Sequence, residues 1–143
     1  MDDLDRSILS LLGADARMSV ATLARRLKVA RSTIQARLER LETTGVIAGY
    51  TLKLGEEVLQ GRLRASVLVS IEPRAQAAIL SRLKAIPEVE RVFTTSGRFD
   101  LLLQIAAPNT QALDHVLDQI GALTGVRSSE SLIHLSTRID RAV

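Results

Sequence analysis

The chain has 143 residues, a formal net charge of +3, 46% apolar and 2% aromatic residues, and no cysteine. The lack of cysteine excludes disulfides, thiolate metal sites and cysteine nucleophiles. The scarcity of aromatic residues argues against binding of single-stranded nucleic acid by base stacking. No apolar run approaches the ~20 residues of a membrane-spanning helix, and the acidic start of the sequence is unlike a signal peptide.

The first fifty residues predict three helices. Asp2 or Asp3 caps the first helix and Gly13 ends it, and Ser19 caps the second. After a break at residues 28–30, the third helix runs from Arg31 to Glu42, and Gly45 follows its end. Apolar residues recur at helical spacing on the predicted inner faces, which comprise Leu4, Ile8, Leu11, Leu12, Leu23, Ala24, Leu27, Ile34, Leu38 and Leu41.

The pattern changes after Gly45, where residues 46–54 predict an extended segment that leads into a linker ending near Gly61. Beyond it, strands and helices alternate. The predicted elements are a strand at 64–71, a helix from Pro73 to about Ala85 with Ala78, Ile79 and Leu83 facing inward, strands at 89–95 and 100–106 joined by a turn at 96–99, a helix capped by Asn109 or Thr110, and a strand at 126–135.

The order βαββαβ predicts an antiparallel, ferredoxin-like sheet with two helices on one face. We therefore expect an α+β protein with a helix-turn-helix domain at residues 1–47, a strand linker at 48–61 and a ferredoxin-like domain at 62–143.

Positive charge is concentrated around the predicted helix-turn-helix. From Arg17 to Arg40 there are seven basic residues and one acidic residue, Glu39. Such a patch indicates a polyanionic partner, although a solvated helix face is an equally good reading of charge alone.

The third helix has a side suited to the major groove of DNA. At ~100° per residue, Ser32, Gln35, Ala36 and Glu39 lie opposite its apolar side. Gln35 can pair with adenine, arginine with guanine, and hydroxyls with phosphates. An ordinary three-helix core with exposed arginines is the alternative. The predicted DNA contacts are Arg25, Arg26, Lys28, Arg31, Ser32, Thr33, Gln35, Arg37 and Arg40.

Several segments, in order along nearly the whole chain, resemble the Lrp/AsnC family of prokaryotic transcriptional regulators. They are residues 4–9 (LDRSIL), 15–19 (DARMS), 23–24 (LA), 37–42 (RLERLE), 45–50 (GVIAGY), 87–89 (PEV), 96–102 (SGRFDLL) and 125–127 (GVR). The resemblance implies a winged-helix-like N-terminal domain, a strand linker and a ferredoxin-like domain often called RAM. It also implies dimers formed through the linker and sheet, which assemble into octamers or other discs and bind imperfect palindromes.

Two positions depart from the family. Lys28 stands where a turn glycine is common, and Ala30 stands where a serine usually caps the third helix. Because alanine is a poor cap, Ser32 and Gln35 offer a capping box two residues later, which would change the side chains that reach the bases.

The family's Gly-x-x-Asp effector motif falls on Gly97 and Asp100, with Arg98 beside it, and Ser129 and Ser131 replace two threonines of the last strand. The resemblance implies that these residues bind an amino acid at interfaces between dimers. From the residues alone, Gly97 is equally well read as a hairpin turn and Asp100 as the residue that closes it.

The predicted function is a sequence-specific DNA-binding transcriptional regulator modulated by an amino acid or similar effector. An architectural protein that wraps DNA without an effector is the alternative. An enzyme is not expected, because no nucleophile–base set or phosphate loop is present, and we predict no catalytic residues, metal ligands or cofactor. The expected partners are double-stranded DNA, further copies of the chain and the effector, with no membrane, in the cytoplasm of a prokaryote and associated with the nucleoid.

Overall fold

The computed structural model describes residues 1–59 and 61–141, which form two compact units. One unit comprises Met1–Lys53 together with the residues from Ile139 onward, and the other comprises Leu54–Arg138. The predicted linker includes Gln60 and the predicted C-terminal domain includes residues 142–143, which lie outside the described residues. No helix among the described residues is long and apolar enough to span a membrane.

The first unit is built from three helices: α1 (Asp3–Ala14), α2 (Val20–Leu27) and α3 (Arg31–Thr43). Asp2 caps α1 and Ser19 caps α2, as predicted, because each side chain accepts a hydrogen bond from a backbone N–H in the first turn. The predicted stop at Gly13 falls one residue short of the end of α1. The core contains Ile8, Leu23, Ala24, Ile34 and Leu41.

The connection between α2 and α3 is tight. Lys28 has a positive φ of 57°, and Ala30 occupies the N-cap of α3 without a side-chain hydrogen bond. Helix α3 nevertheless begins at Arg31, so the alternative start at a Ser32 capping box is wrong. Extended backbone at Ala30 (ψ 150°) lets its carbonyl accept from the amides of Thr33 and Ile34, which begins the helix without a side-chain cap.

The strand predicted within residues 48–61 does not form in the described part of the chain. Residues 48–55 have no regular secondary structure, and a short helix, α4 (Glu56–Leu59), follows. A lone extended segment leaves its backbone N–H and C=O groups unpaired, so a strand needs a neighbour that this segment does not have in the single chain. Several of its apolar side chains are exposed, namely Tyr50, Leu52 and Leu54.

The second unit confirms the predicted ferredoxin-like fold. Its elements are β1 (Leu63–Ile71), α5 (Gln76–Lys84), β2 (Val89–Thr94), β3 (Leu101–Ala107), α6 (Thr110–Gly121, capped by Asn109) and β4 (Val126–Ile133). The sheet has the order β2-β3-β1-β4, and every neighbouring pair of strands is antiparallel.

One face of the sheet packs on both helices. Alternate residues of the central strands β1 and β3 are buried together with Ile79 and Leu83 of α5 and the inner side of α6. Ala78, predicted to face inward, is exposed. The chain enters α5 through a 3-10 turn at Pro73–Ala75, and Ala75 of this turn packs against the core.

Candidate nucleic-acid interface and effector loop

The outer side of α3 is polar and open to solvent. Ser32, Gln35, Ala36 and Glu39 are exposed, while Ile34 on the opposite side is fully buried. The apolar residues that hold α3 to the first unit therefore leave a complete helix face free. This is the geometry with which the second helix of a helix-turn-helix enters the major groove.

Four of the predicted DNA contacts border this face. Arg25 and Arg26 lie in the last turn of α2, Lys28 lies in the turn, and Arg31 begins α3; all four side chains are exposed. Within residues 1–59 and 61–141, none of the four forms an ion pair with a carboxylate. Their charge is thus available to an anionic ligand.

Arg37 and Arg40 differ from those four, because both are bound to carboxylates of α1. The Arg37 guanidinium donates through Nη1 to Oδ2 of Asp2 and, at 3.2 Å, to Oδ1 of Asp5. Arg40 donates from Nη2 to Oδ2 of Asp5 at 3.0 Å. The side chain of Asp5 is 1% exposed, so Arg37 and Arg40 both reach toward a buried charge, unlike the exposed Arg31 of the same helix.

The two carboxylates also cap α1. The Asp5 N–H donates to Oδ1 of Asp2 at 3.0 Å, and the Asp2 N–H donates to Oδ2 of Asp5 at 3.3 Å. The hydrogen bond from Arg37 and the backbone bond from Asp5 lower the pKa of Asp2 to about 2. Burial works to raise the pKa of Asp5, but the bonds from the Asp2 amide and Arg37 outweigh it and leave this pKa lowered.

The pairing of Asp5 was missed in the sequence, although a signal was present. Asp5 lies three residues before Ile8, on the side of the helix that carries the core residues. A charged residue at such a position requires a partner, because an isolated buried carboxylate is strongly unfavourable. Arg37 and Arg40, spaced three apart on another helix, were the available cations.

The predicted effector loop connects β2 and β3. Gly97 has a positive φ of 111°, which favours glycine, and the Arg98 guanidinium lies 5.3 Å from the centre of the Phe99 ring. Asp100 fastens the loop to β1, because its Oδ2 accepts from the Ile71 N–H at 2.8 Å. The hairpin itself is closed by the Asp100 backbone, whose carbonyl accepts from the Thr95 N–H at 3.0 Å, while the bond to Ile71 occupies one carboxylate oxygen.

The serines of β4 lie across β1 from this loop. The Asp100 N–H donates to the carbonyl of Val69, and Ser129 pairs with Val69 from the other side. Ser131 pairs with Val67, two positions farther along β1. The sheet register therefore brings Asp100 and Ser129 to the same end of the sheet, with Ser131 more distant, and both serines are exposed.

Two family models match the chain, and together they cover most of it. An AsnC-type helix-turn-helix domain matches residues 1–42, and an Lrp/AsnC ligand binding domain matches residues 64–143. Among curated proteins, the HTH-type transcriptional regulator LysM of Saccharolobus solfataricus is 32% identical over 138 residues, 96% of this chain and 95% of the relative. The regulator LrpA of Mycobacterium tuberculosis is 31% identical over 134 residues, 93% of this chain and 89% of the relative.

Solved structures agree over the full length. AsnC of Escherichia coli superposes with a TM-score of 0.89 at 27% identity, covering 100% of this chain and 97% of that protein. A transcriptional regulator of Neisseria meningitidis in complex with L-methionine has a TM-score of 0.89 at 28% identity, covering 99% and 94%. A feast or famine regulatory protein of M. tuberculosis complexed with L-methionine has a TM-score of 0.85 at 31% identity, covering 97% and 95%.

Proposed function

The chain belongs to the Lrp/AsnC family of DNA-binding transcriptional regulators, and from that premise we propose that an amino acid or similar small effector modulates it at interfaces between dimers. The observation that carries the proposal is the exposed loop that holds Arg98 and Asp100, whose side chains offer a guanidinium and a carboxylate to a ligand. DNA binding is supported by the exposed polar side of α3, bordered by four cations that are unpaired in the described residues. Family membership also makes the chain a regulator rather than an enzyme.

DNA contact is assigned to two groups of side chains. Arg25, Arg26, Lys28 and Arg31 bind phosphates and supply salt-dependent, sequence-independent affinity. Ser32, Thr33 and Gln35 lie in the first two turns of α3, the part of a recognition helix that meets base edges in the major groove. Arg37 and Arg40 also belong to the predicted contacts, but both are bound to carboxylates of α1.

The effector site is assigned to Gly97, Arg98, Asp100, Ser129 and Ser131. The free oxygen of Asp100 suits an ammonium group, and the Arg98 guanidinium suits a carboxylate. These groups are exposed in the single chain, so a second copy is required to enclose a ligand. The L-methionine complexes of the two similar proteins support an amino acid as the ligand class.

The functional unit is a homodimer that assembles into octamers or similar discs. Two-fold symmetry matches two α3 helices to the half-sites of an imperfect palindrome. Effector bound between dimers shifts the assembly equilibrium, and so the spacing of the reading helices, by its differential affinity for the two assemblies. The protein acts in the cytoplasm of a prokaryote, in association with the nucleoid.

The test is a selection of genomic fragments by the purified protein, with and without a pool of amino acids. Enrichment of a few palindromic sites that changes with the pool supports the proposal, and fractionation of the pool then identifies the ligand. Enrichment that ignores the pool favours an architectural, DNA-wrapping protein without an effector. No enrichment even at low salt contradicts sequence-specific binding.

A second arm of this test uses Asp100→Asn, which removes the charge but keeps an oxygen that accepts from the Ile71 amide. We expect this variant to lose the response to the pool while its effector-free DNA affinity stays unchanged. Asp114→Asn, at an exposed position of α6, is the control for charge. Loss of effector-free binding in Asp100→Asn would instead assign Asp100 to folding alone.

A further inference from the structure

The N-terminal cap of α1 and the recognition helix α3 share one hydrogen-bond network. Each of the four carboxylate oxygens of Asp2 and Asp5 accepts at least one bond, from the two backbone amides of the capping box and from Arg37 and Arg40. In the described residues, no buried polar side-chain atom is left without a partner. The carboxylates that cap α1 therefore also bind two arginines of α3.

The contacts fix how α3 is placed on α1. Arg37 and Arg40 are three residues apart, so they lie on one side of α3, almost one turn apart along its axis. Because both hold the same buried carboxylate, rotation of α3 about its axis, or sliding along it, breaks at least one bond. The apolar contacts of Ile34 and Leu41 are less directional and restrain these motions less.

The same network withdraws Arg37 from the DNA-facing side. About a quarter of its side chain is exposed, 26%, and one of its nitrogens is engaged by two carboxylates. To read guanine, the guanidinium would have to give up its bonds to Asp2 and to Oδ1 of the buried Asp5, which would keep only Arg40 as a cation. Removal of one partner from a buried ion pair is strongly unfavourable, so this rearrangement is disfavoured.

We propose that Asp2 and Asp5 are positioning residues that set the orientation of the recognition helix through Arg37 and Arg40, and that Arg37 does not read bases. The inference rests on the proposed function, because it concerns how α3 is presented to DNA. Base reading then falls to Ser32, Thr33 and Gln35.

The experiment compares variants on an operator obtained from the fragment selection and on a panel of its single-base variants. Arg37→Ala, Asp5→Asn and their double variant are measured, with two controls. Asp3→Asn removes a carboxylate charge from the same helix turn, where the side chain is fully exposed and, among the described residues, pairs with Arg6 alone. Arg26→Ala removes an exposed arginine assigned to a phosphate.

We expect Asp5→Asn and Arg37→Ala to lower operator affinity by roughly tenfold each, within the range of coupling between contacting residues. The double variant should be no weaker than Arg37→Ala alone. Across the panel of single-base operator variants, the loss of affinity should follow the same pattern in Asp5→Asn and in Arg37→Ala, because a buried carboxylate has no contact with DNA. The slope of log affinity against log salt should stay unchanged in both variants, whereas Arg26→Ala should reduce the magnitude of this slope by ~0.9. Asp3→Asn should match the wild type.

The inference is overturned if Arg37→Ala relaxes specificity at a single base pair, or lowers the salt slope, while Asp5→Asn binds like the wild type. If circular dichroism shows that Asp5→Asn does not fold, Asp2→Asn takes its place, because asparagine caps a helix as well as aspartate does. If the wild-type protein selects no DNA, the proposed function itself is contradicted. If the wild type binds DNA and Arg37 reads a base, only the present inference is contradicted.

Discussion

At the scale of single residues, Gly125 is held by its surroundings more strictly than any other glycine of the described residues. Its φ is +97°, and a Cβ atom at this position would lie 2.3 Å from Cβ of Ala75. Its carbonyl also accepts from the Glu72 N–H at 2.8 Å. The residue therefore joins the start of β4 to the 3-10 turn that follows β1.

We predict that Gly125→Ala lowers the free energy of unfolding by roughly 2–5 kcal/mol, because backbone strain and overpacking act together. Urea denaturation followed by circular dichroism measures the change. Gly121→Ala is the matched control. A Cβ added at this position would meet nothing within 4 Å, and alanine is more favourable than glycine in a helix by up to ~1 kcal/mol. Equal stability of the two variants would contradict the packing at Gly125.

The carboxylate of Asp2 makes stability depend on pH in the acid range. Its pKa is lowered from 3.8 to about 2 in the folded chain. The charged form is thus favoured by folding, so its contribution is complete above the ordinary pKa and is lost as pH falls through the folded value. The affected window runs from about pH 4 down to about pH 2.

We predict that Asp2→Asn lowers the thermal midpoint at neutral pH and that the difference from wild type vanishes as pH approaches 2. Asparagine keeps the cap, so the change isolates the charge that pairs with Arg37. Thermal melts from pH 2 to 7 measure it, with the exposed Asp3→Asn as the control. A difference that is constant across this range would show that the Arg37 pair does not stabilise the fold.

At the scale of elements, the turn between α2 and α3 combines a strained backbone with a cation. Lys28 has φ 57° and ψ 44°, a left-handed conformation that costs a non-glycine residue ~1 kcal/mol or more. Its side chain is exposed beside α3. A residue kept in a strained position where glycine fits better points to a use for its side chain.

We predict opposite effects of Lys28→Gly on stability and on DNA binding. Relief of the backbone strain should raise the free energy of unfolding by up to ~1 kcal/mol. Loss of one phosphate contact should reduce the magnitude of the slope of log affinity against log salt by ~0.9. Lys28→Ala separates the two effects, since it loses the charge but keeps the strain. An unchanged slope in both variants would remove Lys28 from the DNA contacts.

Local chemistry explains which elements were predictable from the sequence. The caps Asp2, Ser19 and Asn109 and the glycine end of α3 act within one turn of the chain, so their residue types suffice. What a local pattern does not contain is the partner of a distant residue. The strand expected in the linker has no neighbour in the described part of the chain, and the buried carboxylate that binds Arg37 belongs to Asp5, distant in sequence. In α5, Ile79 and Leu83 are buried as predicted, while Ala78 is exposed.

At the scale of the whole molecule, the sheet of the second unit has one face without helices. Phe93, Leu102 and Leu68 follow one another across β2, β3 and β1, and Leu132 lies on the same face of β4. Phe93 and Leu132 are 43% and 50% exposed. The fold class was readable from the order of elements, whereas the partner of this face, a second copy under the proposed function, is not contained in one sequence.

We predict that Phe93→Glu combined with Leu132→Glu converts the dimer of the proposed function into monomers. Two carboxylates placed on an apolar face that is buried on association lose their hydration without a partner, and the dimer carries each change twice, once in each copy. Analytical ultracentrifugation measures the mass. Ala78→Glu, on the exposed side of α5, adds charge away from this face and should leave the mass unchanged.

The same variant should lose affinity for a full palindromic operator while its weaker affinity for an isolated half-site is retained. Joining two reading helices makes the second contact intramolecular, so the dimer gains affinity only on a site with both halves. A variant that is monomeric and still prefers the full operator would mean that symmetry is imposed by the DNA. A variant that remains dimeric would place the dimer interface elsewhere, with the exposed apolar residues of the linker, Tyr50, Leu52 and Leu54, as the next surface to change.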